Sequence, residues 1–331
     1  MRRVGGTLLS RAAALGVCLA LVGACADDNP PAKAEPKAKV VAFLRAVASV
    51  DSTFQETVLT ELSAAGYRSG RNLKILGGDP AEAHPDPADA AAVVARWNAE
   101  GVDLIFALSS SGAKTAAAAA PEVKVLFLSN DPTAVGLVKD ERHPDGNMTG
   151  ATFRVPADRT LDLARRVLPG LDEVGLLFPP ADPSALPGRD NAVTAAAALN
   201  IRIVQSPFAS EQEIAPAIRS LEADGVDAIL LSNSPTTSRA AAAIGAAVAT
   251  SKVPVVANTK LPFALLVLEP DATVLYRQMG RQAARLLDGT KPADVPVEDP
   301  GGFRVVVNDE VALRLGVSVP EDVRREATPK K

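Results

Sequence analysis

The sequence predicts an α/β fold of two doubly wound, parallel-sheet lobes joined by a hinge that the chain crosses more than once. Three observations carry this expectation. Short apolar runs of four to six residues alternate with stretches of 10 to 15 residues at helical spacing, the pattern of parallel strands covered by helices on both faces. A ten-residue segment is repeated: Glu100-Gly101-Val102-Asp103-Leu104-Ile105-Phe106-Ala107-Leu108-Ser109 returns as Asp224-Gly225-Val226-Asp227-Ala228-Ile229-Leu230-Leu231-Ser232-Asn233, 124 residues later. Around both copies the strand and helix signals come in the same order, so each half reads as one Rossmann-like unit wound by right-handed crossovers.

From the N-terminus, residues 1–24 hold Arg2, Arg3 and Arg11 and no acid, then an apolar run from Ala12 to Val22, then Gly23 and Ala24. That is the order of an export signal, and the run is shorter than the roughly 20 residues that span a bilayer. Val22-Gly23-Ala24-Cys25 resembles a bacterial lipobox, which implies cleavage before Cys25 and lipidation of its thiol. The other cysteine, Cys18, lies in the leader, so the mature chain is expected to have no disulfide. Acylation would also protect a lone thiol in an oxidising compartment. Residues 25–38 are rich in Pro, Ala and charge and read as a flexible tether. About 290 residues remain, suited to two lobes rather than one core.

In the first half, 40–44 is expected as a strand, 53–65 as a helix, 73–76 as a strand and 88–99 as a helix with Trp97 on its core face. The strand 104–108 follows. The second half repeats the order with 174–178, 191–199, 201–204 and 213–223, and the run from Val123 to Asn130 is echoed by Val253 to Asn258. Gly146-Asn147-Met148-Thr149-Gly150 reads as the turn between halves. A helix over 276–287, a strand over 305–307 and a helix over 310–315 complete the chain. The lobes are therefore expected as 39–150 plus about 265–295, and 151–264 plus about 300–325. Several crossings make a hinge whose halves can close on a ligand.

Charge and motifs narrow the function. The whole chain has 35 Lys and Arg against 39 Asp and Glu; without the three leader arginines, 32 against 39 leaves −7. An acidic body excludes nucleic acid and an anionic membrane surface as evident partners. No G-x-S-x-G, H-E-x-x-H, P-loop or G-x-G-x-x-G occurs, and these are the local signatures of hydrolase, zinc, nucleotide and dinucleotide chemistry. The two histidines, His84 and His143, each precede a proline and read as loop surface. Neither a metal site nor a cofactor nor a catalytic residue is expected, and the chain reads as a binder rather than an enzyme.

Ligands of open α/β sheets sit beyond the carboxyl ends of the strands, where this sequence turns polar. The candidate ligand-binding residues are Ser49 and Asp51, then Ser109, Ser110 and Ser111, then Asn130 and Asp131 in the first half. In the second half they are Phe178, then Ser232, Asn233 and Thr236, then Asn258. The serine cluster opens a helix expected to start near Ala113 and suits a carboxylate, while Asp51 suits an ammonium. Both have a second reading. Thr53-Phe54-Gln55-Glu56 fits a capping box that leaves Asp51 as a solvated residue before a helix, and Ser110 and Ser111 fit helix caps. Aromatic residues are 4% of the chain, and only Phe178 stands out near a strand end, which disfavours a sugar stacked on rings.

Five further segments recur in one known family. They are Ala64-Ala65-Gly66-Tyr67 with Gly70-Arg71-Asn72; Asp131-Pro132 with Val135-Gly136-Leu137-Val138; Gly146 to Gly150; Gly289-Thr290-Lys291-Pro292 running to Glu298; and Asn308 through Leu315-Gly316-Val317 to Pro320. In this order the chain resembles the ABC transporter substrate-binding proteins related to the tryptophan-uptake lipoproteins, which have the type I periplasmic binding protein fold. The resemblance implies a monomeric extracytoplasmic protein held on a bacterial membrane by its lipid anchor. It would take a small polar solute, such as an amino acid, and deliver it to ABC permease and ATPase subunits. The ligand-sensing lobe of a signalling receptor is the alternative use of such an architecture. The chain departs from the family pattern at Val47 to Asp51, at the serine triplet and at Leu261 to Leu266, so tryptophan itself is not carried over as the ligand.

Overall fold

The computed structural model of the chain describes residues 37–44, 53–77 and 89–327. The leader, Cys25, nearly all of the tether, Ser49, Asp51 and His84 lie outside the described residues. In chain order the first group of elements is β1 (Lys39–Leu44), α1 (Thr53–Ala64), β2 (Leu73–Leu76), α2 (Ala90–Ala99), β3 (Leu104–Ala107), α3 (Ser110–Ala119), β4 (Lys124–Ser129) and β5 (Met148–Thr152). The strands form one parallel five-stranded sheet in the order β2-β1-β3-β4-β5.

The second group runs α4 (Ala157–Val167), β6 (Glu173–Phe178), α5 (Leu186–Ala198), β7 (Arg202–Pro207), α6 (Glu211–Ala223), β8 (Ala228–Leu231), α7 (Pro235–Arg239), α8 (Ala241–Val248), β9 (Val255–Ala257) and β10 (Leu266–Pro270). After α9 (Ala272–Leu287) come β11 (Phe303–Val307), α10 (Asp309–Leu315) and α11 (Glu321–Glu326). The second sheet has the order β11-β10-β9-β8-β6-β7, with β11 alone antiparallel to its neighbour.

Strand alternation divides each lobe into two cores, as the period of two requires. In the first sheet Val41, Phe43, Leu104 and Phe106 face α1 and α9, while Ala42, Leu44, Ile105 and Ala107 face α2 and α3. In the second sheet Leu176, Leu230 and Leu268 share one core and Leu177, Ile229 and Val267 the other. Trp97 is fully buried in the first lobe, as its place on the helix face predicts.

The repeated segment has the same physical role in both halves. Gly101 and Gly225 end α2 and α6 with φ of +76° in each case, a left-handed conformation that glycine adopts without a Cβ penalty. Two residues on, Asp103 accepts a hydrogen bond from the Val40 N–H at 2.8 Å and Asp227 accepts from the Asp172 and Glu173 N–H groups at 2.9 Å. Each aspartate thus ties the entry of its own strand to the entry of the neighbouring one.

Three expectations are corrected. The Gly146–Gly150 stretch is mostly strand rather than turn: Met148–Thr152 is β5, and Gly150 belongs there because a Cβ would lie 2.1 Å from the Phe127 carbonyl oxygen. The segment from about 265 does not enter the first lobe at once, since Leu266–Pro270 pairs with β9 and β11 in the second sheet and the crossing comes at Asp271. The helix after the first repeat starts at Ser110 rather than Ala113, because the Ser109 side chain caps it.

The chain passes between sheets at 153–156, at Asp271 and at 299–302. Two buried side chains of α9 hold the third crossing and the segment leading to it. Gln278 accepts from the Gly301 N–H at 2.7 Å and donates to the Asp299 carbonyl at 3.0 Å. Gln282 donates to the carbonyls of Gly150 at 3.0 Å and Pro296 at 3.1 Å. Among the described residues no helix is long and apolar enough to cross a membrane.

Candidate ligand-binding site

The carboxyl ends of β4, β6, β8 and β9 lead to one opening. Its walls come from Asn130 and Asp131 after β4, Arg154 and Val155 in the first crossing, Ala157 of α4, Leu176 of β6, the Pro187–Ala192 part of α5, Leu230 and Leu231 of β8 with Ser232 and Asn233 after it, and Asn258 after β9. The space is open to solvent. A smaller recess beside it is formed by Leu231 to Asn233, Thr237, Ser238, Ala257 to Thr259 and Leu261. Both lobes and one crossing therefore contribute to a single concave site of mixed polar and apolar lining, the arrangement expected of a small-molecule pocket.

Of the candidates read from the sequence, Asn130, Asp131, Ser232, Asn233 and Asn258 line this pocket. The other five candidates among the described residues are engaged locally. The Ser109 hydroxyl accepts from the Gly112 N–H at 3.0 Å and lies 3.3 Å from the Ser111 hydroxyl, while Ser110 and Ser129 pair at 2.8 Å. The helix cap is thus Ser109, and not Ser110 or Ser111 as the capping alternative had it. Phe178 is buried beneath the Arg189 guanidinium, 5.5 Å from the ring centre. The Thr236 N–H donates to Asp182 at 3.2 Å, and Arg239 donates to the Thr236 hydroxyl. These five side chains do not line the pocket.

Arg154 and Asn191 are lining residues that sequence reasoning missed. Arg154 follows β5, and the strand-end rule reaches it once 148–152 is recognised as a strand. Asn191 projects from a helix, and no local signal marks it. Arg154 is held by Glu141 at 2.7 Å and by Asp299, its Nε donating at 3.2 Å. Burial works against its charge, but the two carboxylates outweigh that cost and raise its pKa above the ordinary value. Among the described residues its Nη1 makes no hydrogen bond.

Asp131 accepts from the Ala134 N–H through Oδ1 at 2.9 Å, leaving Oδ2 for other partners. Asn258 donates to the Thr160 hydroxyl at 2.9 Å, which fixes the amide and leaves its carbonyl oxygen as an acceptor. Behind this wall the loop after β6 is pinned by Asp182. Burial pushes its pKa up, but hydrogen bonds from Ser184 and Thr236 more than reverse that and hold it at about 2. Among the described residues no three or more His, Cys, Asp or Glu side chains gather as metal ligands would.

Residues 40–331 match the family model described as ABC transporter substrate binding protein. A tyrosine-binding protein of Clostridioides difficile is 24% identical over 264 residues, covering 77% of this chain and 74% of the relative. Among solved structures, a Streptococcus ABC domain in complex with L-Trp has a TM-score of 0.71 at 24% identity, covering 89% of this chain and 99% of that one. A substrate-binding protein with adhesive properties from Clostridium difficile, in its ligand-free open form, has a TM-score of 0.76 at 21% identity, covering 88% and 98%. The two-lobed fold is thus that of the type I periplasmic binding proteins, and the family is one of solute binders rather than enzymes. With a matched span that takes in both sheets, all the crossings and the pocket, the chain belongs to the ABC transporter substrate-binding protein family.

Proposed function

We propose that the chain is the extracytoplasmic receptor of an ABC importer and that its pocket captures an amino acid. The observation that carries this reading is a pocket presenting one guanidinium, at Arg154, which is already braced by Glu141 and Asp299, and one carboxylate, at Asp131, among amides, a hydroxyl and apolar side chains. A zwitterion has one charge of each sign. Such a pair can satisfy both when the cleft closes, whereas an unmatched charge would be costly to desolvate. The relatives that bind tyrosine and tryptophan support the same ligand class. Capture at micromolar affinity requires about 8 kcal/mol, within reach of a closed cleft with several hydrogen bonds.

The remaining parts of the reading come from the leader. Removal of 1–24 and lipidation at Cys25 would tether a monomeric body beside the permease and ATPase that it serves. Titration calorimetry over the amino acids, with sugars, nucleosides and small acids alongside, tests the ligand. At least one amino acid should bind saturably, and Asp131→Asn should weaken it at least tenfold, about 1.4 kcal/mol. Saturable binding of another solute class alone would refute the reading. Cys25→Ser should move the protein from the membrane to the soluble fraction, and retention on the membrane would remove the anchor.

A further inference from the structure

We propose that the ligand is a small polar amino acid of the serine, threonine, asparagine or glutamine kind, and not an aromatic one. This rests on the amino-acid reading and narrows it. The chain has nine Phe, two Tyr and one Trp, and all twelve fall among the described residues. None lines the pocket or the recess beside it. Eight are buried in the cores. Phe153 and Tyr276 pack on the first-lobe core, where the Tyr276 ring meets Phe54 edge-on at 4.9 Å. Phe263 lies against Gly245 of α8, and Phe303 lies beneath the Arg159 guanidinium at 5.2 Å. Each of these rings thus packs within the fold, and none stands at the pocket wall.

Beside aliphatic side chains such as Val155, Leu176 and Leu230, the pocket offers amides and no rings. Asn130, Asn191, Asn233 and Asn258 all line it. The first three make no side-chain hydrogen bond among the described residues, and Asn258 keeps a free carbonyl oxygen. Each amide brings two donors and an acceptor. Closing a phenol or indole ring against four such groups would strip them of water without replacing the lost hydrogen bonds, which is the expensive outcome for a buried polar group. A hydroxyl or carboxamide side chain returns those bonds.

Calorimetry on the full chain with all twenty amino acids tests the proposal. The expected result is that serine, threonine, asparagine or glutamine binds at least tenfold more tightly than tyrosine, tryptophan or phenylalanine, and that Asn233→Leu weakens it at least tenfold. Equal or tighter binding of an aromatic amino acid, or of leucine or valine, would overturn the selectivity while leaving the amino-acid reading intact. An unchanged affinity in Asn233→Leu, with the melting temperature retained, would also overturn it. Binding of no amino acid at all would overturn both readings together.

Discussion

At the residue scale, the pocket depends on a few side chains whose partners are set by loops. Asp182 is the clearest case, accepting from the Ser184 N–H at 3.0 Å, the Ser184 hydroxyl at 2.6 Å and the Thr236 N–H at 3.2 Å. Its folded pKa of about 2 lies below the ordinary 3.8, so its contribution is fully present above 3.8 and is lost as pH falls toward 2. Asp182→Asn should flatten the fall in melting temperature between pH 4 and 2, and an acid limb unchanged from wild type would show that the loop is not held this way. The sequence marked Thr236 as a ligand contact because it follows a strand. Its N–H donates instead to a carboxylate 54 residues earlier, a pairing that no local pattern contains.

At the element scale, helices and strands followed from spacing far better than the crossings did. Phe54, Val58 and Leu62 recur at four-residue intervals and are the buried face of α1. The run Leu104–Ala107 is apolar at every position because both faces of its sheet are covered. Met148–Thr152 escaped notice because it contains two threonines and a glycine where a strand usually presents branched apolar residues. It is held as an edge strand by β4 and by α9, whose Gln282 reaches the Gly150 carbonyl. The neighbouring Gln278 is the main tie of the third crossing. Gln278→Ala would leave the Gly301 N–H and the Asp299 carbonyl without partners, and should destabilise the protein by about 2 kcal/mol. Amide exchange should rise selectively over 299–302, and exchange equal to wild type there would refute the assignment.

At the scale of the whole molecule, three crossings join two sheets that share no strand, so the lobes can turn about a short segment while each core stays intact. The pocket takes residues from both lobes and from the first crossing, so the proposed capture would make closure and binding one event. Small-angle scattering should show a smaller radius of gyration with saturating ligand than without. An unchanged radius, with binding confirmed in the same sample, would rule out capture by closure.

The sequence by itself determined two parallel-sheet lobes, because strand and helix periodicities are local and the repeated Gly-Val-Asp segment performs the same local task twice. It also located the strand ends from which Asn130, Asp131, Ser232, Asn233 and Asn258 reach the pocket. Only the tertiary structure decided which polar groups at those ends face the pocket and which are used within the fold. Ser109 caps its own helix, whereas Arg154 and Asn191 come into the pocket from a crossing and a helix. The reason is physical: a hydroxyl is assigned to a cap or to a ligand by the three-dimensional position of its nearest donor, and that position depends on how distant segments pack.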